Sequence, residues 1–243
     1  MNKLLPLLTL ATVGATVGCG PALIDVSLSE LPQPVLRVEL ESEVGGEMVL
    51  IDPEQDDITG SCHRVPSGTR LSVNGTQLPL ESRGDNVWSA PGYHSCRLPQ
   101  FKGPRRPADE TRSEFILSEG QTQWRAVFQE LRAVRRFRVN GQEQASLRGG
   151  QEVDLEWFPA TDRLQAPTVT LRAEGSSNDN YYFPPMESGH LRFTLGALPP
   201  GRYVLSVSGT ALVGVEACEG FTACEAPLYL NGGSTVSASV VIE

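Results

Sequence analysis

The sequence predicts an all-β protein of two β-sandwich domains. Three observations carry that prediction: short apolar segments alternating with period two, Asn-Gly pairs set between them, and a lack of helical runs. Successive side chains on a strand point to opposite faces, so a segment such as Val35-Leu-Arg-Val-Glu-Leu40 buries one face and wets the other.

The chain opens with Lys3, an apolar run from Leu4 to Val17, then Gly18-Cys19. That order of charge, apolar segment, small residue and cysteine is an export signal. It resembles a bacterial lipoprotein signal, and the resemblance implies cleavage before Cys19, leaving Cys19 as the lipidated first residue of the mature protein. Thr16 departs from the leucine usual at its place in that pattern, and an ordinary secretory signal cut after Ala15 or Gly18 is the alternative reading. Gly20, rather than aspartate, resembles the outer-membrane sorting pattern of enteric bacteria. The expected location is therefore the cell envelope, lipid-anchored at the outer membrane. The apolar run is shorter than the roughly 20 residues a spanning helix needs, so the mature protein is not expected to cross a bilayer.

Removing residues 1–18 leaves 225 residues, enough for two domains of about 110 residues each. The reading assigns 1–18 to the signal peptide, 19–33 to the lipidated cysteine and a tether, 34–132 to a first sandwich and 133–243 to a second. The boundary falls at Leu131–Arg135, where Gln129-Glu-Leu-Arg-Ala-Val-Arg-Arg136 loses strand alternation. A short amphipathic helix fits the same spacing, with Phe128, Leu131 and Val134 on one face. The formal charge of the whole chain is −9, and loss of Lys3 makes it more negative, which disfavours nucleic acid and anionic headgroups as partners of the molecule as a whole. Acidic residues crowd Asp25–Asp57 and basic ones Lys102–Arg138, the pattern of two solvated faces.

Four cysteines follow Cys19: Cys62, Cys96, Cys218 and Cys224. Four cysteines allow three pairings. Export permits oxidation, and one pair per presumed domain favours Cys62–Cys96 and Cys218–Cys224 as structural disulfides. Neither has the Cys-x-x-Cys spacing of a redox dithiol.

In the first half, strands are expected at Val35–Leu40, Glu47–Ile51, Arg70–Val73, Glu114–Leu117 and Gln123–Phe128. Asn74-Gly75 marks a hairpin, because a type I′ turn needs positive φ at both central residues, and Asn140-Gly141 repeats the signal after Phe137-Arg-Val139. Gln100–Arg112, rich in Pro and basic residues, reads as a long surface loop.

In the second half, Val153, Leu155 and Trp157 alternate inward, and Leu195-Gly-Ala-Leu-Pro-Pro-Gly-Arg-Tyr203 reads as a tight corner feeding another strand. Ser234–Ile242 closes the sheet as a β-branched final strand. From about Val134 to Glu243 the chain resembles fibronectin type III and related immunoglobulin-like sandwiches. The resemblance implies a core tryptophan at Trp157 and a tyrosine corner at Tyr203, whose hydroxyl would bond back to the backbone. Gly209–Leu228, with its cysteine pair, is longer than the family requires, and Cys218 and Cys224 do not match the inter-sheet disulfide of antibody domains.

Catalytic motifs are scarce, and the expected protein is not an enzyme and carries no cofactor or metal. Cys62-His63 and His94-Ser-Cys96 form the one suggestive cluster. Oxidation removes the thiolates a Cys₂His₂ zinc site needs, and adjacent Cys-His is poor ligand spacing. Asp52, Glu54, Asp56 and Asp57 lack the register of an EF-hand calcium loop. Glu41 with Glu43, or Asp154 with Glu156, are carboxylates at alternate positions with no reason for a raised pKa. Ser176–Phe183 stands out as a binding loop, with Asn178, Tyr181, Tyr182 and Phe183 mixing adaptable polar groups and aromatic surface. Those aromatic residues could instead cap the core. The expected function is a lipid-anchored envelope protein acting as a non-catalytic binding, adhesion or structural module, with an envelope protein or carbohydrate as partner. The alternative is a hydrolase using carboxylates or His63 and His94.

Overall fold

The computed structural model describes residues 22–40, 47–52, 61–90, 93–104, 110–231 and 235–243. Cys19 and the leader therefore lie outside the described residues, as do Glu41, Glu43, Glu54, Asp56 and Asp57. In chain order the first half holds β1 (Ala22–Asp25), a 3-10 turn (Leu28–Glu30), β2 (Val35–Leu40), β3 (Glu47–Asp52), β4 (Ser61–Arg64), β5 (Arg70–Val73) and β6 (Thr76–Leu78). It continues with β7 (Leu80–Ser82), β8 (Asp85–Ala90), β9 (Tyr93–Arg97), β10 (Gln100–Gly103), β11 (Arg112–Glu119) and β12 (Thr122–Gln129). The second half holds β13 (Arg136–Val139), β14 (Ala145–Leu147), β15 (Glu152–Phe158), β16 (Arg163–Ala173), β17 (Asp179–Tyr182), β18 (Met186–Glu187) and β19 (His190–Thr194). It ends with β20 (Gly201–Leu212), β21 (Val215–Glu219), β22 (Ala223–Glu225), β23 (Pro227–Leu230) and β24 (Val236–Ile242).

In the first sandwich, sheets of order β22-β2-β3-β10-β7 and β21-β12-β11-β5-β6 enclose one core. Alternation puts Leu36, Val38, Val49, Ile51 and Phe101 inside from one sheet and Leu71, Phe115, Leu117 and Phe128 from the other. Phe115 and Phe128 meet edge to face at 5.5 Å, the arrangement that aligns ring edge with ring face. Asn74 and Gly75 take φ of +47° and +80° and join β5 to β6. Pro79 then separates β6 from β7, which pairs with β10 in the other sheet. A proline has no N–H to give a ladder, so the chain changes sheets there.

The second sandwich packs β13-β15-β19-β18 against β14-β24-β20-β16-β17, with β23 alongside β20. Its core holds Val153, Leu155 and Trp157 of β15, Val169 and Leu171 of β16 and Leu205 and Val207 of β20. The Tyr203 hydroxyl donates to the Pro199 carbonyl at 3.0 Å while the ring is buried, which is the expected tyrosine corner. Asn140 and Gly141 take φ of +49° and +76°, closing the Val139–Gln142 turn. Both expected disulfides, Cys62–Cys96 and Cys218–Cys224, are formed.

Three expectations are corrected. Val213–Ala226, which sequence order places in the second unit, is built into the first: Val213, Phe221 and Ala226 are core residues there, β21 extends one of its sheets through β12 and β22 extends the other through β2. The 19–33 stretch is not a free tether from Ala22 onward, because β1 pairs with β4 and Leu28 and Leu31 are buried in the first core. No helix forms at Gln129–Arg136. Leu131 is buried while Val134 is 78% exposed, so the two do not share a face.

What holds that junction instead is polar. The Arg135 guanidinium bonds both Asp162 oxygens (2.9 and 3.3 Å) and the carbonyls of Glu130, Leu131 and Ala133. Arg132 pairs with the fully buried Glu47 at 2.8 Å. Burial pushes the Asp162 carboxyl above its ordinary pKa, and the Arg135 guanidinium partly offsets it.

Candidate functional site

The segment expected to be a contact loop is an edge strand. β17 pairs antiparallel with β16, so its side chains alternate, and the nominated aromatic residues separate. Tyr181 points outward, 57% exposed, and Phe183 is more exposed still. Tyr182 points inward: its ring lies 4.5 Å from that of Phe193 on the opposing sheet, and its hydroxyl accepts the Gly196 N–H. Tyr182 is thus a packing residue, and its nomination as contact surface is corrected. Asn178 is exposed just ahead of the strand, its N–H donating to the Ser176 hydroxyl.

Register carries the Tyr181 face across the whole sheet. Tyr181 lies opposite Thr170, Thr170 opposite Ser206, and Ser206 opposite Ser237. The next row is Asp179, Arg172, Val204 and Ser239. Because each of these alternates with a core residue, both rows face away from the core. The first row, with Asp179, Arg172 and Val204 of the second, lines a cavity of about 560 Å³, within the range of small-ligand sites.

At one rim Arg172 donates to both oxygens of Asp179, at 2.6 and 2.8 Å, and the Tyr181 hydroxyl donates to Asp179 Oδ2 at 3.0 Å. These bonds, that from Arg172 above all, hold the Asp179 carboxyl below its ordinary pKa. The hydrogen bond to Asp179 raises that of Tyr181, which keeps its proton. The result is a rigid array in which the tyrosine ring and the guanidinium are fixed in place. At the far side, Asn231 borders both this cavity and a second one of about 370 Å³ shared with Tyr229, Glu39 and Leu40. Tyr229 is 60% exposed and lies opposite Thr210 of β20. Sequence reasoning missed it because β23 straddles the end of the long Gly209–Leu228 connection; the available signal was the alternation Pro227-Leu-Tyr-Leu230.

The other nominated residues do not converge on this face. Cys62 is buried and bonded to Cys96, which leaves no thiolate there for zinc. His63 lies on β4 and His94 on β9; the Nδ1 atom of His63 is buried and has no hydrogen-bond partner among the described residues. Asp154 accepts from His190 Nδ1 at 2.8 Å and lies 3.5 Å from Arg192, so it forms an ion cluster on β15 and β19 rather than an acid–base pair with Glu156. Asp52 pairs with Arg37.

No protein-family model matches the chain, and neither does any curated protein. Among solved structures, it is similar to Bacteroides ovatus mixed-linkage glucan utilization locus SGBP-B in complex with a mixed-linkage heptasaccharide, at 10% identity over 85% of this chain and 45% of that one, with a TM-score of 0.26. It is also similar to the FN1–FN3 domains of chicken CNTN1, at 11% identity over 87% of this chain and 66% of that one, with a TM-score of 0.28. The chain spans less than half the length of the first of these. Similarity at this level assigns no partner and no activity to the present chain.

Proposed function

We propose that this protein is a lipid-anchored, non-catalytic carbohydrate-binding module of the cell envelope, with the outer face of the second sandwich as its contact surface. The observation that supports this is the Tyr181–Thr170–Ser206–Ser237 row beside the Arg172–Asp179 pair. A sugar ring offers an apolar C–H face and a fringe of hydroxyls. Tyr181 supplies a flat apolar partner for the first, and the serine and threonine hydroxyls, which both donate and accept, suit the second. Asp179 is committed to Arg172 and Tyr181 and held in its charged form, the opposite of what a general acid requires at neutral pH. The anchor reading rests on Gly18-Cys19 behind the apolar run.

Affinity electrophoresis of the unanchored protein through gels containing neutral or acidic polysaccharides tests the binding reading. Retardation by at least one polysaccharide, lost in Tyr181→Ala, is expected. Unretarded migration with every polysaccharide, together with a crosslink from position 181 to another envelope protein, would replace carbohydrate with a protein partner. For the anchor, incorporation of labelled palmitate by the wild type and none by Cys19→Ala is expected.

A further inference from the structure

We infer that β1 is a bilayer-resting edge: Leu23 and Ile24 seat in the lipid interface that holds the acylated Cys19, making the first sandwich the membrane-proximal one. The inference rests on the anchor reading above and deepens it. Only Gly20 and Pro21 separate Cys19 from Ala22, the first residue of β1. Three residues of fully extended chain reach roughly 10 Å, so a lipid on Cys19 keeps β1 within about that distance of the headgroups.

The strand is built as such a position requires. All four residues of Ala22-Leu-Ile-Asp25 are exposed, with Leu23 at 42% and Ile24 at 40%, although the segment is mostly apolar. Among the described residues β1 pairs with β4, and Leu23 and Ile24, adjacent on the strand, project from opposite faces of it, both exposed. An interface rather than the hydrocarbon core suits an exposed two-stranded pair, because hydrated headgroups can bond backbone groups that its ladder leaves over.

Nor can the edge swing away from the body. Asp25 bonds Arg64 at 2.7 Å and Arg83 at 2.8 Å, and Arg83 donates also to the Val65 carbonyl. Leu23 lies opposite Cys62, whose disulfide to Cys96 ties β4 to β9. Immediately downstream, the Val26 N–H donates to the Arg64 carbonyl and Leu28 is sunk in the core. Fixing β1 therefore fixes the orientation of the first sandwich on the membrane.

The test uses the full lipidated protein in vesicles of phosphatidylethanolamine and phosphatidylglycerol. Because the four later cysteines are in disulfides and Cys19 carries lipid, Leu23→Cys, Ile24→Cys and Glu143→Cys each present a single thiol for an environment-sensitive fluorophore. Glu143 is an exposed control on the second sandwich. The expected result is that doxyl-labelled lipids quench the fluorophore at 23 or 24 at least threefold more than at 143. Confirmed palmitate incorporation with equal quenching at all three positions would overturn the membrane-resting edge and leave the anchor standing. Absence of palmitate incorporation would overturn both.

Discussion

Cys218 and Cys224 are bonded to each other across the edge of a sandwich whose other strands lie about ninety residues or more earlier in the chain. Cys218 of β21 lies opposite Ala126 of one sheet, and Cys224 of β22 lies beside Leu36 of the other. The disulfide thus ties sheet to sheet in the first sandwich, using a segment that leaves and rejoins the second between β20 and β24. Removing both sulfurs by Cys218→Ser with Cys224→Ser should cost about 2 kcal/mol by the loop-entropy relation for so short a loop. Urea unfolding followed by Trp124 fluorescence would detect the loss. An unchanged midpoint would mean that strand pairing alone holds the insertion.

Gly220, at the tip of the same insertion, tests how closely it is seated. A Cβ there would lie 2.1 Å from Trp124 Cδ1, and φ is +85°, where a side chain is strained in any case. Phe221 beside it packs on Trp124 at 5.1 Å. Gly220→Ala should destabilise the first sandwich by about 1–3 kcal/mol, the range for overpacking, and shift the tryptophan emission. A variant as stable as wild type would show that the insertion yields readily.

Arg135 and Asp162 offer a pH signature. Since burial raises the folded pKa of Asp162 above its ordinary value of 3.8, the folded state binds this proton more tightly than the unfolded chain does. Its contribution to stability is therefore full below 3.8 and is lost as pH rises through the folded value. Arg135→Ala removes the partner of a buried carboxylate and should cost about 3–5 kcal/mol at neutral pH. The deficit should shrink on acidification, as Asp162 takes up a proton. A deficit equal at pH 4 and pH 7 would assign the loss to the three carbonyl bonds of Arg135 rather than to the carboxylate.

Tyr203→Phe removes the hydroxyl that bonds Pro199 and keeps the buried ring. A loss of about 1 kcal/mol in chemical denaturation is expected, the net worth of one hydrogen bond. No shift in midpoint would mean that water replaces the bond at no cost.

Tyr181 and Tyr182 should respond oppositely to alanine. Tyr181→Ala should leave thermal stability nearly intact and abolish polysaccharide retardation. Tyr182→Ala removes a half-buried ring from its contact with Phe193 and should cost about 2 kcal/mol. Because the Asp179 pKa is lowered, the Arg172–Asp179 pair is complete above 3.8 and comes apart as pH falls through the depressed folded value. Retardation should therefore persist from neutral pH down to about 4. Loss of binding between pH 7 and 5 would point to another titrating group.

Local pattern determined much of this protein. Period-two alternation located β2 and the core faces of β11, β12 and β15, because which side chains a strand buries is decided by their spacing along the chain. Asn74-Gly75 and Asn140-Gly141 placed turns, because positive φ is a property of those residues themselves. Leu195–Tyr203 placed the corner because its hydrogen bond spans only four residues. Other features belong to tertiary structure alone. Whether Tyr181 or Tyr182 faced solvent depended on which neighbour β17 pairs with, and a change of one residue in register would have exchanged them. The proposed binding face joins β17, β16, β20 and β24, drawn from more than fifty residues of chain, so no local window contains it. The crossing of Val213–Ala226 into the first sandwich was hidden for the same reason: β2 and β12 needed edge partners, and which distant segment supplied them was settled only by long-range packing and backbone pairing.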